Sequence, residues 1–254
     1  MGIYNCADTL PEALDSLYQQ TYQNFRIILC DDASTDETYK VAKSYADKYD
    51  NIYLMRNEQN LKLAATLNRC LEFVDTEFVA RMDGDDVSLP TRFEKEIEFL
   101  DNNPDYALVS CAMIHFDESG DWGIGKPVEF PNKNDFKTTS PFAHAACMVR
   151  TETMKEVGGY TVNNLLERGQ DYYLWYKIYK AGFKGYNFQE PLYKMRDGRD
   201  AIARRKMKNR YKAALIRYEV LKGLGVPNAF VYSFIGFTKA FIPKSLMSYI
   251  RKKR

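Results

Sequence analysis

Three carboxylates lie within four residues at Asp83, Asp85 and Asp86, directly after the apolar segment 78–81. Like charges at this spacing repel one another and resist burial unless a cation neutralises them. Hard divalent cations such as Mg²⁺ and Mn²⁺ take oxygen ligands and keep coordination positions open for phosphates. The cluster therefore predicts a metal that holds a diphosphate. Taken alone, the segment is also compatible with a solvated acidic turn.

The patterns around this cluster predict a parallel α/β sheet, because apolar strands alternate with amphipathic helices through short connections. The predicted strands are at about 1–5, 25–30, 52–55 and 78–81. Capping boxes at Thr9 with Glu12 and at Ser34 with Glu37 predict two helix starts. Ser88 as N-cap, with Pro90 in the first turn, predicts a third.

Polar side chains follow three of these strands, namely Asn5, the pair Asp31 and Asp32, and the acidic cluster. Ligands of open α/β sheets bind beyond the carboxyl ends of the strands. We therefore expect the three groups to border one crevice, which favours a binding site over a solvated turn.

The second half of the chain contains a strongly aromatic helix that is predicted to begin at Gly169-Gln170-Asp171. Asp171 would lie in its first turn, where the helix dipole stabilises an anionic carboxylate suited to act as a general base. Trp175 lies four residues further on, on the same face, where its ring would suit stacking on a sugar. The alternatives are a simple helix-end charge for Asp171 and a core aromatic for Trp175.

The net charge of +2 conceals an asymmetry, since residues 193–254 carry 17 Lys/Arg against three Asp/Glu. An acidic body with a basic tail predicts an anionic surface or ligand for the tail. The five cysteines are scattered without metal-ligand spacing, which indicates reduced core thiols of a cytosolic protein. No apolar run approaches the length of a membrane span.

Taken together, these motifs resemble a family 2 glycosyltransferase of the GT-A fold, of the type that builds bacterial surface polysaccharides. The resemblance covers roughly residues 1–200. The segments that carry it are Tyr4-Asn5, 20–25, 31–38, 60–68, 83–86 and 169–172.

The resemblance implies inverting transfer of a sugar from a nucleotide-diphosphate sugar, expected to be a UDP-sugar, to a glycan or lipid-linked acceptor. In the donor site it assigns Asp32 to the nucleobase and Asp83 to the ribose, with Asp85 binding Mn²⁺ or Mg²⁺. It also places Tyr4, Asn5 and Lys62 at the nucleotide.

On the acceptor side, the resemblance makes Asp171 the catalytic base and places His144 and Gln170 in the cleft beside Trp175. Asp86 is implied either to support the metal site or to contact the acceptor. A satisfied core histidine is the alternative for His144. Gln170 stands where the family usually has Glu, so the acceptor contacts are expected to differ.

The family's first strand has several apolar residues before Tyr-Asn, where this chain has only Met1-Gly2-Ile3. Either the start is internal to a longer reading frame or the edge of the nucleotide pocket is weakened. The Gln-x-x-Arg-Trp signature of processive members is absent. This favours an enzyme that adds a single sugar.

We expect a transferase domain over residues 1–198, with its nucleotide-sugar half at about 1–105 and its acceptor half at about 106–198. A basic amphipathic helical tail would follow at 199–254. The tail would lie on the inner face of the plasma membrane, or else pack on the domain as ordinary helices. Nothing beside its charge resembles a nucleic-acid recognition module.

Two rival functions remain. A metal-dependent nucleotidyltransferase would share a nucleotide crevice, but residues 1–24 contain no glycine-rich or strongly basic triphosphate loop. A phospho-acceptor signalling domain would need only about half this length and would leave the segment 169–171 and the tail unexplained.

Overall fold

The computed structural model describes residues 1–197 and 207–238. The strands are β1 (Gly2–Ile3), β2 (Ile27–Asp31), β3 (Ile52–Arg56), β4 (Phe78–Ala80), β5 (Val87–Ser88), β6 (Tyr106–Asp117), β7 (Gly120–Gly125), β8 (Met148–Arg150) and β9 (Lys184–Arg196). The helices are α1 (Leu10–Tyr18), α2 (Thr38–Lys48), α3 (Leu63–Leu71), α4 (Arg92–Asn102), α5 (Thr151–Glu156), α6 (Gln170–Lys180), α7 (Met207–Gly223) and α8 (Ala229–Thr238).

The first three strands form the parallel sheet that the alternating pattern predicts, in the order β1-β2-β3. Its central strand β2 is almost entirely buried, as expected for a strand covered by helices on both faces. The register pairs Ile27 with Ile52 and Asp31 with Arg56. Asp31 and the chain just beyond it therefore emerge at the carboxyl edge, where the predicted crevice lies.

The second sheet is mixed, in the order β4-β8-β6-β9-β5, with β7 paired to β6. Only β6 and β9 run parallel in it, and β4 pairs antiparallel with β8. The fourth strand was thus correctly located, but the prediction that it joins the parallel sheet was wrong. The α/β fold with flanking helices is confirmed, with its parallel pairing concentrated in the first half.

Two of the three predicted helix starts, at Ser34 and Ser88, differ from the structure, whereas Thr9 is the N-cap of α1 as predicted. Ser88 lies in β5 and pairs with Tyr193 of β9, so the next helix begins only at Arg92. Thr9 precedes α1 but makes no capping bond, and its hydroxyl donates instead to Gly84 O at 3.0 Å. The N-cap of α2 is Glu37 rather than Ser34. Tertiary partners outcompeted local capping bonds at Ser88 and Thr9.

Two hydrophobic clusters make up most of the core. One surrounds β1 and β2 with α1 and α4, and the other surrounds α6 with α5 and α7. Ile216, Val220 and Leu221 of α7 are buried in the second cluster together with Trp175. The part of the tail that forms α7 therefore packs on the domain. Residues 199–206 and 239–254 lie outside the described part.

No helix in the described ranges, 1–197 and 207–238, is long and apolar enough to cross a membrane.

Candidate active site

The loops after β1 and β2 are tied together at the carboxyl edge of the parallel sheet. The Asn5 amide donates to Ser34 Oγ at 3.0 Å, and the Asn5 side chain accepts from the Thr35 amide at 2.9 Å. Asn5 and Ala33 both adopt positive φ, 48° and 57°. Positive φ is strained for alanine and tends to occur where function fixes the backbone. Tyr4 is 48% exposed beside this edge and is available to a ligand.

Asp32 is buried and organises the loop that leads into α3. Its Oδ1 accepts from the Leu61 amide at 2.7 Å and from Asn57 Nδ2 at 2.7 Å, and its Oδ2 accepts from the Lys62 amide at 3.0 Å. Charge-assisted bonds to a carboxylate are the strong ones. They hold Lys62 at φ 71° with its side chain exposed at the crevice. Asp32 thus fixes the position of Lys62.

The turn after β4 brings its carboxylates close to α1. A Cβ at Gly84 would lie 2.8 Å from Cys6 Sγ and 3.2 Å from Ile3 Cγ2, so the approach requires glycine. Asp83 bonds to the buried guanidinium of Arg81. Burial acts to raise the pKa of Asp83, but the adjacent Arg81 outweighs it and holds the pKa below its usual value. Asp83 is therefore ionised.

Asp85 is the exposed carboxylate of the turn. Partial burial and the negative charge of Asp83 raise the pKa of Asp85. A bound divalent cation would offset this repulsion between the two carboxylates. Among residues 1–197 and 207–238, no three His, Cys, Asp or Glu side chains cluster in a way that would hold a metal by themselves. The donor set fits a cation that takes one carboxylate from the protein and the rest of its oxygen ligands from a diphosphate and water.

Asp86 is buried, with only 3% of its surface exposed. Its Oδ2 accepts from the Tyr193 hydroxyl at 2.9 Å, and its Oδ1 accepts from the Arg196 amide at 2.8 Å. Burial first, and then the charge of Asp83, raise the pKa of Asp86 to about 7. Of its two predicted roles, the geometry favours support of the acidic turn over contact with an acceptor.

His144 lies half-buried behind the turn, and its Nε2 is 2.8 Å from the Tyr160 hydroxyl. Burial and the charge of Arg81 lower the pKa of His144 to about 3, so the imidazole is neutral. Asn68 of α3 fixes Tyr160, since its Nδ2 donates to Tyr160 O and its Oδ1 accepts from the Tyr160 amide, both at 2.8 Å. Tyr160 thereby links α3 to the acceptor side.

Helix α6 begins at Gln170, with Asp171 in its first turn as predicted. Burial most of all, and then the charges of Cys147, Asp171 and Asp83, raise the pKa of the Tyr160 hydroxyl, whereas the charge of Arg81 lowers it. Gln170 Oε1 is buried and has no donor among the described residues.

The acidic turn thus lies at the carboxyl edge of the parallel sheet and Asp171 lies in the first turn of α6, and the comparisons with known proteins show the family. The family model described as "Glycosyl transferase family 2" matches residues 1–158. The chain belongs to this family. It is a glycosyltransferase that uses a nucleotide-sugar in polysaccharide biosynthesis.

Two relatives and one structure show how far the similarity of this glycosyltransferase extends. It is 39% identical over 256 residues to the putative glycosyltransferase EpsE of Bacillus subtilis (strain 168), covering 100% of this chain and 92% of EpsE. It is 35% identical over 202 residues to the UDP-Gal:alpha-D-GlcNAc-diphosphoundecaprenol beta-1,3-galactosyltransferase of Escherichia coli, covering 77% and 71%. The crystal structure of S. aureus TarS 1-349 in complex with UDP matches with TM-score 0.68 at 18% identity, covering 94% and 68%, which shows the shared GT-A fold.

One predicted site residue of the glycosyltransferase is not in its cleft. Trp175 is fully buried, packs edge-on against Phe142 at 5.5 Å between ring centroids, and leaves its indole Nε1 without an acceptor among the described residues. The prediction that it stacks on a sugar was wrong. Its helical position faces the second hydrophobic cluster, because α7 and the segment around Phe142 cover that side of α6.

Three residues of the glycosyltransferase site were missed by sequence reasoning: Tyr160, Tyr193 and Arg196. Arg196 donates from Nε to Asp85 O at 3.1 Å and pairs with Glu12 on α1. Tyr193 and Arg196 are two positions of one strand, 107 and 110 residues after Asp86. No local pattern could have paired them with the acidic turn.

Proposed function

We propose that this glycosyltransferase transfers a sugar from a UDP-sugar to a hydroxyl of a lipid-linked or glycan acceptor, with inversion at the anomeric carbon and with a divalent cation. The observation that carries the proposal is the acidic turn after β4, which reaches the carboxyl edge of the parallel sheet because Gly84 lies against Ile3 of β1. The turn holds an ionised Asp83 beside an exposed Asp85. The E. coli relative named above uses UDP-Gal and a diphosphoundecaprenol-linked acceptor, and the TarS structure contains UDP. Both support this choice of substrates.

The donor would lie along the carboxyl edge of the parallel sheet. Tyr4 and Asn5 border it on one side, and the Lys62 side chain, placed by Asp32, borders it on the other. Asp83, held ionised by Arg81, is suited to accept from ribose hydroxyls. Asp85 would ligate Mn²⁺ or Mg²⁺, which supplies Lewis-acid stabilisation of the departing diphosphate.

The acceptor would bind between His144, Gln170 and Asp171. The oxygen of the acceptor hydroxyl attacks the anomeric carbon from the face opposite the diphosphate, and Asp171 takes the proton from that hydroxyl. Asp171 lies in the first turn of α6, where the helix dipole favours a negative charge.

Calorimetric titration with UDP, in the presence and absence of Mn²⁺, tests the donor side. We expect binding that strengthens at least about tenfold with Mn²⁺, and an Asp85→Ala variant that loses this gain, since the ligand carboxylate is gone. Asp50→Ala, an exposed aspartate on the turn before β3, is the matched control and should behave as the parent protein. Binding of UDP that ignores Mn²⁺ in all three proteins would contradict the metal site.

We also propose that α8 rests on an anionic lipid surface. Phe230, Val231 and Ile235 are 64%, 52% and 45% exposed on this helix, and residues 239–254 carry six basic and no acidic side chains. Apolar side chains beside basic ones suit binding at an anionic membrane interface. A lipid-linked acceptor would place such a surface on the inner face of the plasma membrane.

Sedimentation with vesicles tests this second proposal. The parent protein should bind vesicles that contain phosphatidylglycerol and not pure phosphatidylcholine vesicles. A Phe230→Ser/Ile235→Ser variant should bind several-fold less. Val162→Ser, which removes an equally exposed apolar side chain from a loop, is the control and should bind normally. Equal binding by the double variant would refute contact through α8.

A further inference from the structure

The chain has two tryptophans, Trp122 and Trp175, and they lie in opposite surroundings. Trp175 is fully buried in the second hydrophobic cluster, whereas Trp122 stands on β7 and is 37% exposed. A single exposed apolar side chain is common on protein surfaces and implies nothing by itself. What distinguishes Trp122 is that the fold holds its ring in one orientation.

The backbone of β7 sets the direction of the Trp122 side chain. His115 of β6 pairs with Gly123 and Phe116 pairs with Asp121, so Trp122 has no partner on β6. The register shifts by one residue at this point, as it does in a β-bulge. Bulges turn a side chain away from the regular alternation of a strand, and they are frequent beside active sites.

Two contacts fix the ring itself. The indole Nε1 of Trp122 donates to Asp197 O at 3.0 Å. One face of the indole stacks on the imidazole of His115, with 5.0 Å between the ring centroids and 29° between the planes. A Cβ at Gly125 would lie 2.9 Å from His115 Nε2, so this glycine leaves the space that the imidazole occupies. Because the indole is already ordered, a ligand would not have to immobilise it.

The other face of the indole is open. Among residues 1–197 and 207–238, His115 is the only residue whose aromatic ring packs on Trp122. The strand beside the indole is bare, since a Cβ at Gly123 would meet no atom within 4 Å. The face of an aromatic ring is negative and attracts the weakly positive C–H groups that one side of a pyranose ring presents. The open face is therefore suited to a sugar.

Charged groups that can hydrogen-bond a sugar border the indole. Asp121, the preceding residue, pairs with Lys194 Nζ at 2.6 Å, and both side chains are partly exposed. The carboxylate accepts from hydroxyls and the ammonium donates to them. The hairpin tip 117–121 contains three acidic residues and no basic one, which works against contact with an anionic lipid surface. The chemistry therefore favours a carbohydrate over a membrane.

The sheet places this ring on the same face as the acidic turn. Met113 and His115 alternate to one face of β6, and the register pairs Met113 with Tyr193 of β9. The Tyr193 hydroxyl donates to Asp86 Oδ2 at 2.9 Å and accepts from the Asp83 amide at 3.3 Å, so the turn lies on this face. Two residues along a strand and one strand across amount to about 8 Å between the Cα atoms of His115 and Tyr193.

Arg196 makes a second connection between the indole and the turn. Asp197, whose carbonyl accepts from the indole, directly follows Arg196, whose Nε donates to Asp85 O at 3.1 Å. Gly84, on the other side of Asp85, lies against Ile3 at the nucleotide edge. Along this series of contacts, Trp122 comes after the diphosphate position. A ring there would meet a sugar rather than the nucleotide.

We propose that Trp122 is a stacking platform for a sugar of the acceptor. The open face of the indole lies against a pyranose ring, and Asp121 and Lys194 bond hydroxyls of the same sugar. The inference rests on the transferase function proposed above. It adds that the enzyme recognises its acceptor through a sugar ring and not only through the hydroxyl that reacts.

Kinetics of sugar transfer to a lipid-linked acceptor test the platform. Trp122→Ala should raise the KM for the acceptor about tenfold, the affinity that one good aromatic contact supplies. The KM for the UDP-sugar and the Tm should stay close to the parent values. Trp122→Phe keeps an aromatic face and should recover most of the loss. Ile124→Ala, which removes an exposed apolar side chain two residues further along β7, is the matched control and should behave as the parent.

Fluorescence quenching tests the stacking without turnover. Because Trp175 is buried, acrylamide reports mainly on Trp122. The probes are the methyl glycosides of glucose, galactose and N-acetylglucosamine, added to protein that is saturated with UDP and Mn²⁺. At least one of them should reduce the quenching of the parent about twofold, because stacking covers the open face of the indole. Trp122→Phe should not show this change.

Several results would overturn the inference. An unchanged acceptor KM in Trp122→Ala, with UDP binding that still depends on Mn²⁺, would refute the platform and leave the transferase function standing. A raised KM for the UDP-sugar alone would assign the ring to the donor. Loss of binding to phosphatidylglycerol vesicles at an unchanged acceptor KM would assign it to the membrane. If the parent bound no UDP, the proposed function would fail, and a lack of protection by all three glycosides would then refute the platform as well.

Discussion

The two sides of the active site are held by different kinds of contact. On the donor side, buried or half-buried carboxylates and amides bind main-chain atoms, as Asp32 does with the loop at Leu61 and Lys62. On the acceptor side, the functional residues stand on a helix whose other face is packed among aromatic rings, as Trp175 is against Phe142. One side is thus fixed by hydrogen bonds and the other by packing.

This difference predicts what each kind of substitution does. A change in a donor-side carboxylate releases a loop and alters nucleotide binding, with a limited effect on the core. A change in the packed face of α6 lowers the stability of the whole domain, because interiors tolerate cavities poorly. Substitution of a residue that contacts the substrate directly should have a third effect. It should lower the rate without releasing the donor-side loop and without lowering the stability of the domain.

The largest effect is expected for Asp171→Asn, which removes the proposed base and keeps the shape of the side chain. The rate of sugar transfer should fall about 10³-fold, within the range for general-base catalysis. The affinity for UDP and the Tm should stay close to the parent values. The rate is measured by release of UDP with a lipid-linked acceptor, and UDP affinity by calorimetry.

Glu167→Gln is the matched control for that variant, since Glu167 is an exposed acid shortly before the same helix. It should leave the rate unchanged. An Asp171→Asn enzyme that retains more than about a tenth of the parent rate would rule Asp171 out as the base, whatever the outcome for UDP binding.

Trp175→Ala should cost about 3–5 kcal/mol of unfolding free energy, as other large-to-alanine changes in cores do. Trp175→Phe should cost less, and the enzyme that folds should keep the parent KM for the acceptor, because the ring does not reach the cleft. Denaturant unfolding gives the stability and steady-state kinetics the KM. A raised acceptor KM at unchanged stability would instead restore Trp175 to the cleft.

The contrast between the two sides also explains what the sequence could predict. Asn5 and Asp32 follow β1 and β2, whose parallel ends converge by topology, so the edge that they share could be inferred without a structure. Asp83 follows β4, which pairs antiparallel with β8, so the same argument did not hold for it. Trp175 shares a helical face with Asp171 in projection, yet only the packing of α7 and Phe142 shows which aromatic residues are covered. The helical period shows which residues lie on the same face of a helix, but it does not show what packs against that face.

The predicted capping bonds are absent at Thr9 and Ser88 for a related reason. The side chain of Thr9 bonds to Gly84, 75 residues away, and Ser88 is drawn into a strand by β9. Both contacts belong to the supports of the acidic turn. A capping residue contributes about 1 kcal/mol, so a few long-range hydrogen bonds are enough to override its preference. The same long-range contacts concealed Tyr193 and Arg196 from sequence reasoning.

Asp32→Ala tests the donor side of the contrast. Removing the carboxylate leaves the amides of Leu61 and Lys62 without their acceptor, at a cost of about 1.5–3 kcal/mol for bonds to a charged group. UDP affinity should fall about tenfold. The UDP affinity of Asp32→Asn, which keeps one acceptor oxygen, should lie between those of the parent protein and Asp32→Ala. Unchanged exchange of the two amides in Asp32→Ala would show that the carboxylate does not hold the loop.

The smallest effect is a pH dependence from the acceptor side. Burial lowers the pKa of His144 from 6.5 to about 3, so the unfolded chain binds a proton below pH 6.5 that the folded chain refuses. Stability from this residue is therefore fully present above pH 6.5 and is lost as the pH falls towards 3. Between pH 7.5 and 5.5 the loss should be about 1 kcal/mol. His144→Gln, which retains a donor for the Tyr160 hydroxyl, should abolish that part of the pH profile in urea unfolding. Parallel profiles of the two proteins would show that the pKa of His144 is the same in the folded and the unfolded chain, which would contradict the lowering of this pKa by burial.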